Sequence, residues 1–313
     1  MLPVRGCAQQ GEFWSEQLRA LWPGEIEWNS SMARWCTLRV GGPARAVATP
    51  SSRAELQSLL AVLTRLGVCK RVIGRGSNLL VSDAGYEGVI VVLGRNFAAI
   101  EQRAGARAGE ILVQVEAGCS LMKLVNWCVG QGLQGLEFAA GIPGSLGGAV
   151  VMNAGAWGKE MHEVLSSVTF LHWSGELVER KKDELAFSYR HLETEEMTVV
   201  AAEFLLQAGD RQAIDLKSSQ LIRARNKKQP QGLASAGSFF KNPPGLPAAG
   251  KLIQDAGLKG ARIGGAQVSE VHANFLVNTG QASAQDFLDL MRLVQEKVFT
   301  RVGVWLEPEV HLL

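Results

Sequence analysis

Apolar residues recur at helical spacing in several stretches of the chain, with short strand-like runs between them. Within residues 11–22, Trp14, Leu18, Leu21 and Trp22 share one face, which predicts an amphipathic helix packed on the body. Ser52-Arg-Ala-Glu55 reads as a capping box. It opens a helix with Leu56, Leu59, Leu60 and Leu63 inward and Gly67 as its stop. Further helices are predicted over 120–129, from about 210 towards 228, and over 283–298. Strands are predicted at 46–48, 71–73, 89–93, 112–117, 167–172, 199–206 and 304–312. The first three, with the helix after Ser52, read as a small βαβ-type unit.

These elements fall into blocks. Residues 1–38 read as an N-terminal extension, 39–95 and 96–207 as two halves of one domain, and 208–313 as a second domain. A chain of 313 residues fits two or three domains at roughly 100–200 residues each. It can bury a core large enough to need no metal or disulfide staple. A net charge of +2 leaves no broad nucleic-acid footprint, although a local phosphate site stays open. The cysteines number five, with no CxxC pair, which argues for buried thiols over a disulfide framework or zinc knuckle. No apolar run reaches the roughly 18 residues of a membrane span, and residues 1–14 lack a signal-peptide core. A cytoplasmic protein is expected. The 35 glycines are clustered, which marks places where the backbone turns sharply or something approaches it closely.

One cluster, Gly74-Arg75-Gly76-Ser77-Asn78, follows an apolar strand. Successive N–H groups there can face one anion, with Ser77 and Asn78 adding side-chain donors, as a pyrophosphate needs. It lacks the third glycine of a dinucleotide fingerprint and the Gly-Lys-Ser/Thr of a P-loop. The same residues serve equally as a plain turn. The second cluster contains Gly141, Pro143, Gly144, Ser145, Gly147 and Gly148, then Asn153, Ala154 and Gly155. Its small residues let a flat ring lie against the backbone, or two chain segments cross. Two such loops in one chain favour a large, two-ended cofactor.

Three further segments carry reactive side chains. In Phe187-Ser-Tyr-Arg190, an extended backbone places Ser188 and Arg190 on one face. Arg190 offers a permanent charge and a bidentate fork for a carboxylate or a developing oxyanion. Lys227-Lys228-Gln-Pro230 leads to Gly237-Ser238-Phe-Phe-Lys241-Asn242-Pro243, where glycine and aromatics can fix and partly desolvate a serine. Its hydroxyl can donate a proton only where a neighbour stabilises the alkoxide or relays a replacement. No nucleophile elbow surrounds Ser238, which disfavours a hydrolase. In the last segment, period two puts Glu307, Glu309 and His311 on one strand face and Leu306, Pro308, Val310 and Leu312 on the other.

These five segments, in this order, resemble the UDP-N-acetylenolpyruvoylglucosamine reductase family. The likeness runs from about Arg39 to the C-terminus. It implies an α+β fold with a two-part FAD-binding domain of the vanillyl-alcohol-oxidase (PCMH) type, followed by a C-terminal α+β substrate-binding domain. It implies FAD and NADPH as cofactors and a UDP-sugar enolpyruvyl ether as substrate. Both glycine loops would hold FAD. Arg190 would be the catalytic arginine, Ser238 the proton donor and Glu309 the catalytic acid. Lys228, Asn242, Tyr189 and His272 would contact substrate, with Asn274 a further lining residue. The short separation of Arg190 from Ser238 matches the compact subclass, and Leu192 stands where the family often has serine. Two rival readings are an oxidase of the same flavin fold and a binding protein that has lost catalysis. No histidine lies in either glycine loop to tether a flavin covalently, which disfavours the oxidase. The joint presence of Arg190, Ser238 and Glu309 disfavours the binding protein.

Overall fold

A computed structural model describes residues 13–313. The reading of residues 1–12 lies outside the described residues. The chain divides into two compact units that interleave along the sequence. One comprises residues up to Trp28, with 46–74 and 88–222; the other comprises 29–45, 75–87 and 223–313. The blocks drawn from sequence were contiguous, because periodicity reports neighbours along the chain only.

The first unit holds the larger core. Its helix Phe13–Leu21 and the adjoining Trp22 contribute Leu18 and Trp22, both buried. Helix Arg53–Arg65 buries Leu56, Leu59, Leu60 and Leu63. Ser52 caps it by accepting from Glu55 N–H. The reciprocal bond reaches one residue further back than a capping box: Glu55 accepts from Ser51 N–H at 2.8 Å. Strand Lys70–Ile73 follows and pairs in parallel with residues 89–92 of Tyr86–Val92, completing the βαβ-type arrangement. Beyond it lies an antiparallel sheet ordered Leu177–Lys181, Leu165–His172, Met197–Ala208, Glu110–Glu116, Ile100–Ala104. Helix Leu121–Gln131 belongs to this unit and buries Leu121, Leu124, Val125 and Cys128. Ser120 caps its start and Gly132, at φ 67°, ends it.

The second unit has its own core, including Leu38, Leu80, Phe239, Phe240, Leu252, Phe287, Leu290 and Val294. An antiparallel sheet runs Ala234–Ser235, Leu276–Asn278, Ala266–Val268, Arg262–Ile263. Helix Ala284–Val302 packs within this unit; Ser283 and Asp286 form its capping box. Segment 304–312 departs from the expected strand. Only His311–Leu312 is regular, paired in parallel with Leu79–Leu80. Gly303, at φ 72°, ends the preceding helix, and Pro308 has no N–H to offer a ladder.

Cys36, Cys119 and Cys128 are buried free thiols. Cys69 departs from that expectation and is disulfide-bonded. Burial pushes the Cys128 thiol up to about 12, with Glu137 and Cys119 adding to it. Among the described residues no helix is long and apolar enough to cross a membrane.

Candidate active site

In the first unit, Phe187–Ser188 and His191–Leu192 form a hairpin, with Tyr189 and Arg190 as its loop. This overturns the extended backbone expected for the segment, so Ser188 and Arg190 do not share a strand face. Arg190 has φ 57°, a left-handed conformation that ordinary side chains rarely adopt. The expectation failed because nothing local marks a turn here, where the second loop position would usually be glycine or asparagine.

The Arg190 side chain is only 18 % exposed. Its Nη1 donates to Glu160 Oε1 at 3.3 Å and to the Asn153 carbonyl at 3.4 Å. Its Nη2 donates to the Gly155 carbonyl at 3.4 Å, and the guanidinium lies 4.8 Å from the exposed Tyr189 ring centre. Asn153 is 1 % exposed and has φ 39°. Its Nδ2 donates to Glu160 Oε2 at 2.7 Å and to the Ser188 carbonyl at 3.3 Å. Its Oδ1 accepts from His162 N–H at 3.1 Å. A cleft of about 370 Å³ opens beside this network, lined by Asn153, Glu160, His162, Lys182, Phe187 and Tyr189 among others.

The glycine loops were read as a cofactor cradle, and the first divides between the units: Gly74 belongs to one, Arg75–Asn78 to the other. Within the first unit, a Cβ on Gly74 would fall 1.9 Å from Ser145 Oγ, so Gly74 and the second loop are in direct contact. Ser145 caps the short helix Leu146–Val151 by accepting from Gly148 N–H. Gly147 is closed in, since a Cβ there would lie 2.9 Å from that of Ala117. Gly148 is exposed, and a Cβ there would meet nothing nearer than Ser145 Oγ at 3.5 Å. Pro143 is exposed, and Gly141, Gly144, Ala154 and Gly155 are half-buried. The result is a surface walled by main chain and small side chains, against which a flat ring or a phosphate can lie closely. These residues fit FAD.

In the second unit, Arg75 is exposed, while Ser77 and Asn78 are half-buried. Gly76 has φ 59°, and a Cβ there would lie 2.0 Å from the Trp35 carbonyl oxygen. Packing within the chain is therefore enough to require glycine. Asn78 Nδ2 donates to the Glu309 carbonyl at 3.0 Å, and His311 N–H donates to the Asn78 carbonyl.

Ser238 follows Gly237, which has φ 79°, and is half-buried. The chain after it runs antiparallel to 307–309. Phe240 faces Pro308 in a bridge, Glu309 N–H donates to the Phe239 carbonyl at 2.9 Å, and Lys241 N–H donates to the Glu307 carbonyl at 2.8 Å. Ser238 and Glu309 thus sit on paired segments. Glu307 is exposed and pairs with the Lys241 ammonium, whereas Glu309 is half-buried.

The other flank of Phe239 and Phe240 is held by Asn274, which is 3 % exposed. Its Oδ1 accepts from Phe240 N–H at 3.0 Å and its Nδ2 donates to the Phe240 carbonyl at 2.8 Å. His272 Nδ1 accepts from Asn274 N–H at 3.2 Å. Burial, and then the Lys259 charge, hold the His272 imidazole below its ordinary value. Lys228 is exposed at the end of helix Arg211–Lys228. Asn242 is exposed, and its Oδ1 accepts from Ala249 N–H, capping helix Ala249–Asp255 from seven residues back.

Sequence reading missed Glu160 and His162, which belong to no glycine or aromatic motif. Asn274 was noted as a lining residue, yet both ends of its amide are spent on the main chain of Phe240.

Comparison with known proteins finds matches over both the N-terminal and the C-terminal parts of the chain. Residues 44–180 match the family model of an FAD binding domain. Residues 229–313 match that of the UDP-N-acetylenolpyruvoylglucosamine reductase C-terminal domain. The chain is 45% identical over 291 residues to the UDP-N-acetylenolpyruvoylglucosamine reductase of Geotalea uraniireducens, spanning 93% of this chain and 94% of that one. It is 42% identical over 302 residues to the reductase of that name from Syntrophus aciditrophicus, covering 96% of each chain. The crystal structure of the Thermus caldophilus reductase aligns with a TM-score of 0.78 at 37% identity, covering 92% of this chain and 98% of that one. The expected α+β fold with an FAD-binding domain stands.

Proposed function

Since the chain belongs to the UDP-N-acetylenolpyruvoylglucosamine reductase family, we propose a division of roles among its residues for the reduction of UDP-N-acetylglucosamine enolpyruvate to UDP-N-acetylmuramate, with FAD as cofactor and NADPH as reductant. FAD, when bound, would supply the two-electron chemistry that links NADPH oxidation to hydride addition at the methylene carbon of the enolpyruvyl group. The main-chain surface around Gly74, Gly144, Ser145 and Gly148 is the part of the first unit that would hold it, with Arg75, Ser77 and Asn78 adding donors from their own segment.

Hydride arrival leaves negative charge on the carbon beside the substrate carboxylate, and that charge spreads into the carboxylate. Arg190 stabilises it with a charge that cannot be lost by deprotonation. Fixed donors aimed at developing charge contribute more than mobile ones, because they need no reorganisation during the step. Glu309 acts in the same role as a protonated or hydrogen-bonded acid, since a bare carboxylate would repel the anion. Ser238 donates its hydroxyl proton to the carbon, giving the lactyl ether, and regains a proton from solvent. Lys228, Tyr189 and His272 bind the UDP-sugar, as does Asn242 through its Nδ2.

The observation that carries this reading is the guanidinium of Arg190, held in a single place by Glu160, Asn153 and Gly155, all three within the stretch that matches an FAD-binding domain. We further place the reaction in the cytoplasm, in the supply of peptidoglycan precursors for growth and division.

The two half-reactions test it separately. Ser238→Ala is expected to keep flavin reduction by NADPH near normal. Reoxidation by the enolpyruvyl substrate should slow by about 10²–10⁴-fold, the usual worth of general acid catalysis. Both half-reactions running as fast in Ser238→Ala as in the unaltered protein would remove Ser238 from the chemistry.

A further inference from the structure

We propose that Glu160 is the positioning residue for Arg190, setting the direction of its guanidinium; the inference rests on the role given to Arg190 above. Glu160 ends a tight hairpin in which Gly155–Ala156 pairs with Lys159–Glu160. Both loop residues, Trp157 and Gly158, have positive φ, at 59° and 78°. That geometry sets Glu160 directly opposite Gly155.

The absence of a side chain at Gly155 is what lets the two charges meet. A Cβ there would stand 2.9 Å from Glu160 Cγ and 3.1 Å from Arg190 Nη1. Across that gap Glu160 Oε1 accepts from Arg190 Nη1 at 3.3 Å.

The carboxylate is itself held on its other sides. Its Oε2 accepts from Asn153 Nδ2 at 2.7 Å and lies 3.5 Å from His162 Nδ1. Its own N–H is held too, since Glu163 Oε1 accepts from Glu160 N–H at 2.7 Å. The ordinary reading of such a pair is a surface ion pair of little consequence. Three features set this one apart. Both side chains are largely withdrawn from solvent, at 18% and 28% exposed. Arg190 is held in a backbone conformation that persists only where its surroundings over-determine it. Asn153, buried and also at positive φ, is spent on fixing Glu160, the Ser188 carbonyl and His162. The network thus locks Glu160 first, and Glu160 then fixes Arg190.

Glu160→Gln is the sharpest test. Both carboxylate oxygens accept from cationic or amide donors, so one amide end must turn an N–H towards either Arg190 or Asn153. The variant is expected to keep its FAD and its reduction by NADPH. Its limiting rate of reoxidation by substrate should fall by about 10–10²-fold, the scale of an ångström-sized misplacement. Half-saturation by substrate should change little. Glu160→Asp, which keeps the charge, is expected to fall between the two, and it carries the test if Glu160→Gln does not fold. Arg190→Ala combined with Glu160→Gln should be no slower than Arg190→Ala alone. Added guanidinium should restore part of the Arg190→Ala rate, and less of it in the double variant.

Full-speed reoxidation in Glu160→Gln beside a slow Arg190→Ala would overturn this inference and leave the role of Arg190 intact. Full-speed reoxidation in Arg190→Ala would instead overturn the role of Arg190 itself. A double variant slowed by the product of the two single effects would show Glu160 acting independently, and would overturn the inference too.

Discussion

The side-chain amide of Asn78 donates to the main-chain carbonyl of Glu309 at 3.0 Å, across 231 residues of sequence. The return contact, His311 N–H to the Asn78 carbonyl, makes Asn78 a brace for the segment that presents Glu309. Asn78→Ala is therefore expected to do more than loosen a phosphate loop. Unfolding in urea should show a loss of about 1 kcal/mol, the net worth of such a bond. Substrate reoxidation should slow alongside it. A variant that loses FAD yet reoxidises at full speed when FAD is restored would show that the brace is dispensable.

Gly148 gives the cleanest test of the cofactor surface. A methyl group there meets nothing closer than 3.5 Å, so Gly148→Ala should leave the fold unchanged. Flavin affinity should drop if the cofactor lies over that surface. Gly76→Ala should instead unfold more readily, because its Cβ would strike the Trp35 carbonyl and its φ of 59° disfavours a side chain. Equal flavin affinity in Gly148→Ala and the unaltered protein would place the cofactor elsewhere.

Asn274 completes the main-chain hydrogen bonding of Phe240 in a buried setting. Asn274→Ala strips both partners and leaves an N–H and a carbonyl unsatisfied, at about 1–3 kcal/mol each. A fall in melting temperature is expected, together with slower reoxidation by substrate, because the proposed proton donor Ser238 lies two residues before Phe240. Asn274→Asp restores one bond and should recover part of the stability. Unchanged melting in Asn274→Ala would show that water replaces the amide without penalty.

His272 predicts the acid limb of stability. Its folded-state value lies below the ordinary 6.5, chiefly through burial, so folding favours the neutral ring. Stability is then complete above about pH 6.5. It declines as pH falls further, because the unfolded chain takes up a proton first, and the decline ends below the folded-state value. The slope cannot exceed about 1.4 kcal/mol per pH unit for one group. Urea melts between pH 7.5 and 5 should show this decline, and it should shrink in His272→Asn, whose oxygen can accept from Asn274 N–H. An identical slope in the variant would assign the decline to other groups.

Cys36, Cys119 and Cys128 are buried thiols whose acidity is weakened by burial. At pH 8 they should resist a disulfide-exchange reagent in the folded protein and react at once in denaturant. Rapid native labelling at Cys128, whose value is about 12, would contradict the packing around helix Leu121–Gln131.

The amino-acid sequence alone determined the long helices and the inventory of reactive groups. Ser52, Ser120 and Ser283 cap the helices that their spacing predicts, because a cap and its apolar face lie within a few residues of each other. The order of the five motifs was equally legible, since each is a short run of unusual residues. Tertiary structure decided what those residues are used for. Gly76 is glycine because Trp35 lies over it, Asn78 is spent on Glu309, and Asn274 on Phe240. Arg190 leaves the extended conformation because the hairpin from Phe187 to Leu192 turns at it, and the contacts that hold it there come from 153–160. Glu160 stayed hidden for the same reason. Its partners lie up to 30 residues away, and neither propensity nor periodicity reports a contact at that distance along the chain.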